Sequence, residues 1–443
     1  MMHRVVSENM AASGPRHVAR GDSSANVRVS LVTVDQVLSS LSNVIALVWV
    51  AHALSPVDFG RFSLIIIIYT VAQVAVRSLI STTVLVHPED ADNKPGVVLS
   101  TTIIIGLFSA VICGGSGAAM TVGHSRMGGA VVALGVALPL LLLQDVGRYL
   151  AIARQKPGGA VVLDSLWLVL MVGGLVAAVP LGADSLTVLV AVWAGSGALA
   201  ALWVFVQYGA PTSGGVAWLR ERWAFSWRAM VSGLAASGTA LATASLMSLL
   251  SSPIAVAAFR AATLIGAPST AVQMAVSTSA AADIAREADD PVAVWRHVRR
   301  AIAIATVVGI LNLVVLVFLP DVLGHALLGE AWDVVKPLML AVGLKVLLMA
   351  AQSGLRASLI GRRLISVAMV TDIVSIVLVG VCMVVGAAMG GAEGALWAMA
   401  VGTGVSTFCW WAALLWKGRH FEGVEVAKSV APPVVRRAGA HRA

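Results

Sequence analysis

A succession of apolar runs, each long enough to cross a lipid bilayer as a helix, dominates this sequence. About 20 apolar residues span the ~30 Å hydrocarbon core. The runs fall at 31–54, 61–86, 97–120, 129–153, 160–181, 186–208, 227–250, 254–277, 300–319, 337–360, 365–388 and 395–416. Only 12% of the 443 residues are charged and the mean hydropathy is +0.91, whereas a soluble domain carries about 25% charge. So little charge cannot cover a surface facing water, which excludes a soluble globular enzyme, a disordered chain and a coiled coil. The sequence predicts an all-α integral membrane protein of about twelve transmembrane helices.

The net charge of +8 would raise the question of nucleic acid in a soluble protein. Here it is a topology signal, and no nucleic-acid partner is expected. With twelve spans both termini share a side, and 22 of the 30 basic residues fall in the tails and loops of that side. The opposite loops hold Arg61, Arg126 and Lys336. This bias places both termini in the cytoplasm of a multi-pass plasma-membrane protein. Residues 1–30 are polar and basic without an apolar stretch, so they read as a disordered cytoplasmic tail rather than a cleaved signal peptide. Residues 417–443 read as a second cytoplasmic tail. Cys113, Cys382 and Cys409 each sit in an apolar run with no CxxC pair, so neither disulfide nor metal site is expected.

The two halves resemble one another. Leu54-Ser-Pro-Val57 with Phe62 recurs as Ser251-Ser-Pro-Ile254 with Phe259, 197 residues on. Gln144, Arg148, Arg154 and Asp164 recur as Gln352, Arg356, Arg362 and Asp372, each at an offset of 208. An even number of helices per copy makes the repeat parallel, with a pseudo-two-fold axis along the membrane normal. The expected architecture is two six-helix lobes, 31–208 and 227–416, joined by the segment 209–226. Trp218, Arg220, Arg222, Trp223 and Trp227 in that segment suit either a helix lying in the interface or an aromatic belt opening the seventh span.

Polar groups inside the spans are the functional candidates. Asp35, Gln36, Ser39, Ser42 and Asn43 form a polar stripe on the first span. It lines a water-filled cavity or makes interhelical hydrogen bonds. Arg77, Arg260 and Lys345 are buried cations that each require an acid, a carbonyl or an anionic ligand. Five cations against four acids within the spans favour an anionic substrate. Structural pairing or snorkelling is the alternative. Arg148 with Asp164, and Arg356 with Asp372, lie at matching depths on adjacent helices and read as structural ion pairs repeated in both lobes. The sequence has no GxxxxGK[ST], HExxH or GxSxG motif and no large outer loop, so catalysis and a bound cofactor are not expected.

The stretch Ala51-His-Ala53-Leu54-Ser-Pro-Val-Asp58-Phe59-Gly60, after a polar first helix, resembles the opening hairpin of polysaccharide-export flippases. These form the Wzx-like branch of the multidrug/oligosaccharidyl-lipid/polysaccharide superfamily. The Gln144/Arg148/Arg154 pattern and the two six-helix lobes are similar as well, and the resemblance covers roughly 31–416. It implies a flippase that moves an oligosaccharide on a polyprenyl phosphate or pyrophosphate through a cationic cavity between the lobes, for cell-surface polysaccharide synthesis. The partners it implies are the lipid-linked saccharide, the bilayer, and glycosyltransferases or a polymerase of the same pathway. The cavity helices would be the first, second, seventh and eighth, which carry Asp35, Arg77 and Arg260. The chain departs from the pattern in its seventh span, 228–250, which has no charge beyond Arg228. Two other readings remain: a MATE-like ion-coupled multidrug or metabolite antiporter, which predicts an acidic, aromatic cavity, and an inactive structural partner in cell-envelope assembly.

Overall fold

The computed structural model describes residues 15–178, 185–250, 266–328 and 332–430. The first lobe is built from α1 (Pro15–Ala53), α2 (Pro56–Val76), a π-helical turn (Arg77–Ser81), α3 (Thr82–Val86), α4 (Pro88–Asn93), α5 (Pro95–Val122), α6 (Gly128–Ala153), α7 (Gly158–Ala178) and α8 (Leu186–Tyr208). The second is built from α9 (Gly215–Leu250), α10 (Ala267–Arg286), α11 (Pro291–Val317), α12 (Asp321–Leu328), α13 (Trp332–Val335), α14 (Met339–Gly361) and α15 (Ile365–Val430). Gly391, at φ 59°, breaks α15 between the eleventh and twelfth spans, a conformation that favours glycine. Among the described residues ten helices are long and apolar enough to cross a membrane. The expected seventh span lies on α9, and much of the expected eighth lies outside the described residues.

Two expectations change. The segment 15–30 is not a disordered tail: from Pro15, a residue suited to the first helical turn, it runs unbroken into the first span. The segment 209–226 is not a separate interfacial helix. Gly209 (φ 82°) and Gly214 (φ 105°) make a turn, and from Gly215 the chain is already α9. Trp218 is 3% exposed and donates its indole N–H to Asp90 at 2.9 Å, so protein rather than lipid surrounds it.

Lipid-facing side chains gain nothing by leaving lipid for one another, so helix association rests on close packing. The first lobe packs around Trp193, with ring centroids of Tyr69, Trp167 and Phe62 at 5.2, 6.0 and 6.4 Å. Helices α5 and α6 meet at backbone distance. A Cβ on Gly135 would lie 2.7 Å from the Gly114 nitrogen, and one on Gly117 would lie 2.7 Å from the Val132 nitrogen.

The internal repeat is visible in the backbone. α6 ends with Lys156 N–H donating to Ala151 O (2.8 Å) and Gln155 N–H to Ile152 O (2.9 Å). α14 ends with Leu364 N–H donating to Leu359 O (2.8 Å) and Arg363 N–H to Ile360 O (2.9 Å). Both are Schellman closures, and both place a non-glycine residue in the left-handed region, Gln155 at φ 57° and Arg363 at φ 61°. Every one of these positions keeps the offset of 208 residues.

The close approach of α5 and α6 generates a prediction. Gly135→Val should lower the thermal midpoint of the purified protein by several degrees, because backbone must move. Gly115→Val, whose Cβ meets nothing within 4 Å, should leave it near the parent value.

Candidate functional site

Four helices of the first lobe converge on a buried polar network. On α6, Asp145, Arg148 and Tyr149 share a face at i, i+3 and i+4 spacing. Asp35 and Ser39 of α1 face it one turn apart, as do Gln73 of α2 and Arg77 at the start of the π-turn. Arg148 forms a two-pronged pair with Asp35, Nη2 to Oδ2 at 2.6 Å and Nε to Oδ1 at 3.3 Å. It also lies 3.2 Å from Asp164 Oδ1 and 3.6 Å from Asp145 Oδ1, and donates to Ser39 Oγ at 3.4 Å. Arg77 forms a second two-pronged pair, with Asp145, at 2.6 and 3.1 Å. Its guanidinium stands 5.3 Å from the Tyr149 ring centroid. Gln73 donates to Asp145 Oδ1 (3.1 Å) and Gln144 donates to Asp164 Oδ1 (2.8 Å).

The centre of this network is buried: Asp35, Gln144, Asp145, Arg148 and Asp164 are between 0% and 4% exposed. Two arginines face three aspartates, so the first lobe carries a surplus of one carboxylate. Asp164 Oδ2 and Gln144 Oε1 are buried with no hydrogen-bond partner.

The second lobe holds a reduced copy. Arg356 Nε lies 3.3 Å from Asp372 Oδ1, and Ser232 of α9 donates to Asp372 Oδ2. Gln352 donates across to α15, to Thr403 O, Ser406 Oγ and Thr407 Oγ1 at 3.0–3.2 Å. The Arg356 side chain is 39% exposed, against 5% for Arg148.

The structure distributes the expected site residues unevenly. Asp35 and Ser39 of the polar stripe make interhelical bonds to Arg148. Asn43, farther along, is exposed and donates back to Ser39 O at 3.1 Å. Gln36 is half-buried beside Asp35. Arg77 has its counter-charge in Asp145 and retains 22% side-chain exposure. Arg260 lies outside the described residues. Lys345 is half-buried, less than two turns into α14, and makes no hydrogen bond or ion pair among the described residues. Arg148 does reach Asp164 across the α6–α7 hairpin, but its shorter contact, with Asp35, was not legible in the sequence. The i,i+4 spacing of Gln73 and Arg77, opposite Asp145 and Arg148, was the available signal for the larger network.

A second group of polar contacts ties the lobes together on the face that carries the basic loops. Arg286 of α10 donates to Ala153 O (2.6 Å) and pairs with Asp92 (2.9 Å). Gln155 donates to Asp283 Oδ1 (3.2 Å), and Arg28 lies 3.4 Å from the same oxygen. Burial pushes the Asp283 carboxyl upward, and the Arg28 charge pulls it back. Arg363 donates to Val86 O (2.9 Å) and pairs with Glu89 (3.1 Å). On the opposite face the ion pairs among the described residues, Arg61–Asp58, His325–Asp333 and Lys336–Asp321, each stay within one lobe.

Removing one member of a buried pair strands the other, at a cost of about 3–5 kcal/mol. Arg148→Gln should therefore abolish accumulation of folded protein or lower its thermal midpoint steeply. Arg77→Gln and Asp145→Asn should each destabilise, while the double variant recovers part of the loss. A double-mutant cycle by thermal unfolding should give a coupling of about 1 kcal/mol or more.

Comparison with known proteins places this architecture. The sequence profile of a family described as "Polysaccharide biosynthesis protein" matches residues 49–337. No curated protein matches the chain. Among solved structures, a MATE transporter in its straight conformation superposes with a TM-score of 0.73 at 12% identity, covering 91% of this chain and 96% of that one. The Vibrio cholerae MATE transporter VcmN in its bent form gives 0.69 at 15% identity, over 88% and 97%. A MOP-superfamily transporter from Pyrococcus furiosus, described by a reversed polarity of its binding pocket, gives 0.70 at 13% identity, over 90% and 96%. The fold is thus that of the two-lobed MATE-type transporters, and the chain, matched over more than half its length, belongs to the polysaccharide biosynthesis protein family.

Proposed function

We propose that the protein is a flippase for a polyprenyl-phosphate- or pyrophosphate-linked oligosaccharide, feeding cell-surface polysaccharide synthesis. The carrying observation is the pairing of a polysaccharide-biosynthesis family match with a transporter fold. The bias of basic residues toward one face supports a plasma-membrane orientation with both termini in the cytoplasm. The inter-lobe ties lie on that same basic face, which supports a state closed toward the cytoplasm. Alternating access would break those ties and rock the lobes apart. The carboxylate surplus of the first lobe suits coupling to a cation gradient. The immediate partners in this reading are the bilayer, the saccharide lipid, and the glycosyltransferases or polymerase acting before and after transport.

Depletion of the protein tests the reading. A lipid-linked saccharide should accumulate in the cytoplasmic leaflet, inaccessible to an impermeant lectin or oxidant, while surface polysaccharide falls. Unchanged lipid pools with altered drug efflux would replace the flippase reading by that of a multidrug antiporter.

The ties have their own test. Gln155→Gly with Arg363→Gly keeps both left-handed helix corners and removes both side chains. Spin-label distances across the basic face should shift to longer values. An unchanged distribution would show that these residues do not hold the lobes closed.

A further inference from the structure

The second lobe has lost counter-charges that the first lobe retains. At the offset of 197 residues Asp35 is replaced by Ser232 and Arg77 by Met274, and at 208 Asp145 is replaced by Ser353. Arg148 is enclosed by three carboxylates, while Arg356 has one carboxylate and a hydroxyl. The second lobe also gains a cation. Position 137, the counterpart of Lys345 at the offset of 208, is alanine. Among the described residues the intramembrane charge is therefore split: a surplus carboxylate in the first lobe, a surplus cation in the second.

Lys345 is that surplus. Residues 345 and 356 are 11 positions apart on one helix, so they share a face to within about 20° and lie about 16 Å apart along the axis. An ammonium without a counter-charge inside a membrane bundle is costly and calls for a ligand. Gln273 of α10 donates to Val346 O at 2.9 Å, next to Lys345, and its buried Oε1 has no hydrogen-bond partner.

We infer that the second lobe, rather than Arg77 of the first, holds the anionic group of the transported lipid. Lys345 contacts the phosphate or pyrophosphate, and Arg356, three turns along the same face toward the basic-loop end of the helix, is the cation the anion meets before it on the outward path. This rests on the flippase reading for its substrate class and adds where the anion binds.

The test uses the full chain in lipid nanodiscs. The probes are farnesyl pyrophosphate, inorganic pyrophosphate and farnesol, with binding followed by tryptophan fluorescence. Farnesyl pyrophosphate should bind best. Lys345→Met should weaken it about tenfold or more, and Lys345→Arg should stay within about threefold of the parent. The ligand-free Lys345→Met protein should melt at or above the parent temperature, since an unpaired buried charge has been removed. Parental binding by Lys345→Met, or farnesol binding as tightly as farnesyl pyrophosphate, would overturn the site. A lowered melting temperature for Lys345→Met would reveal a structural role and overturn it too. Inorganic pyrophosphate binding as tightly as the prenyl compound would overturn the lipid assignment. Parental binding by Lys345→Met, with a saccharide lipid still accumulating on depletion, sinks this site and leaves the flippase reading. Lost binding without any accumulation does the reverse.

Discussion

A guanidinium that has left water must be surrounded by its own counter-charges, and the first lobe is arranged around that requirement. Arg148 draws α1 to α6 through Asp35 and α6 to α7 through Asp164. Asp145, one turn away, extends the same network to Arg77 at the π-turn after α2. A π-turn shifts the helical register by one residue. Here it begins at the residue whose side chain must meet Asp145. With so little charge available, each buried ion fixes the position of two helices. The apolar packing around Trp193 then fills what the ions have aligned.

The two copies of the repeat differ in charge. The second lobe keeps Gln352, Arg356 and Asp372 but replaces the flanking acids with serines. Its arginine is correspondingly more open. One copy is a buried brace with a carboxylate to spare. The other has kept the backbone and shed charge, leaving polar side chains with capacity to spare.

The spans and the repeat were legible because both depend on local signals: hydropathy over about 20 residues, and polar residues kept at one offset. The pairing of Arg148 with Asp164 was legible for the same reason, since a single short hairpin separates them. The pairing with Asp35 spans 113 residues, and that of Arg77 with Asp145 spans 68. No local pattern specifies such contacts. Counting charges gives an inventory but not its division between lobes, which depends on which helices touch. The burial of Trp218 was hidden likewise, because its partner Asp90 lies on α4, the short helix between the second and third spans.

The two left-handed helix corners have a consequence beyond holding the lobes. Gln155 reaches Asp283, and Arg363 reaches the carbonyl of Val86. Positions 155 and 363 are repeat mates at the offset of 208, and 86 and 283 are mates at 197. The two ties are thus one contact made twice about the pseudo-two-fold axis. In a dimer of identical six-helix halves that contact would be isologous, each subunit offering its corner to the helix end of the other. A fusion of two such halves would need no new interface: it would inherit one, and leave each side of it free to change alone.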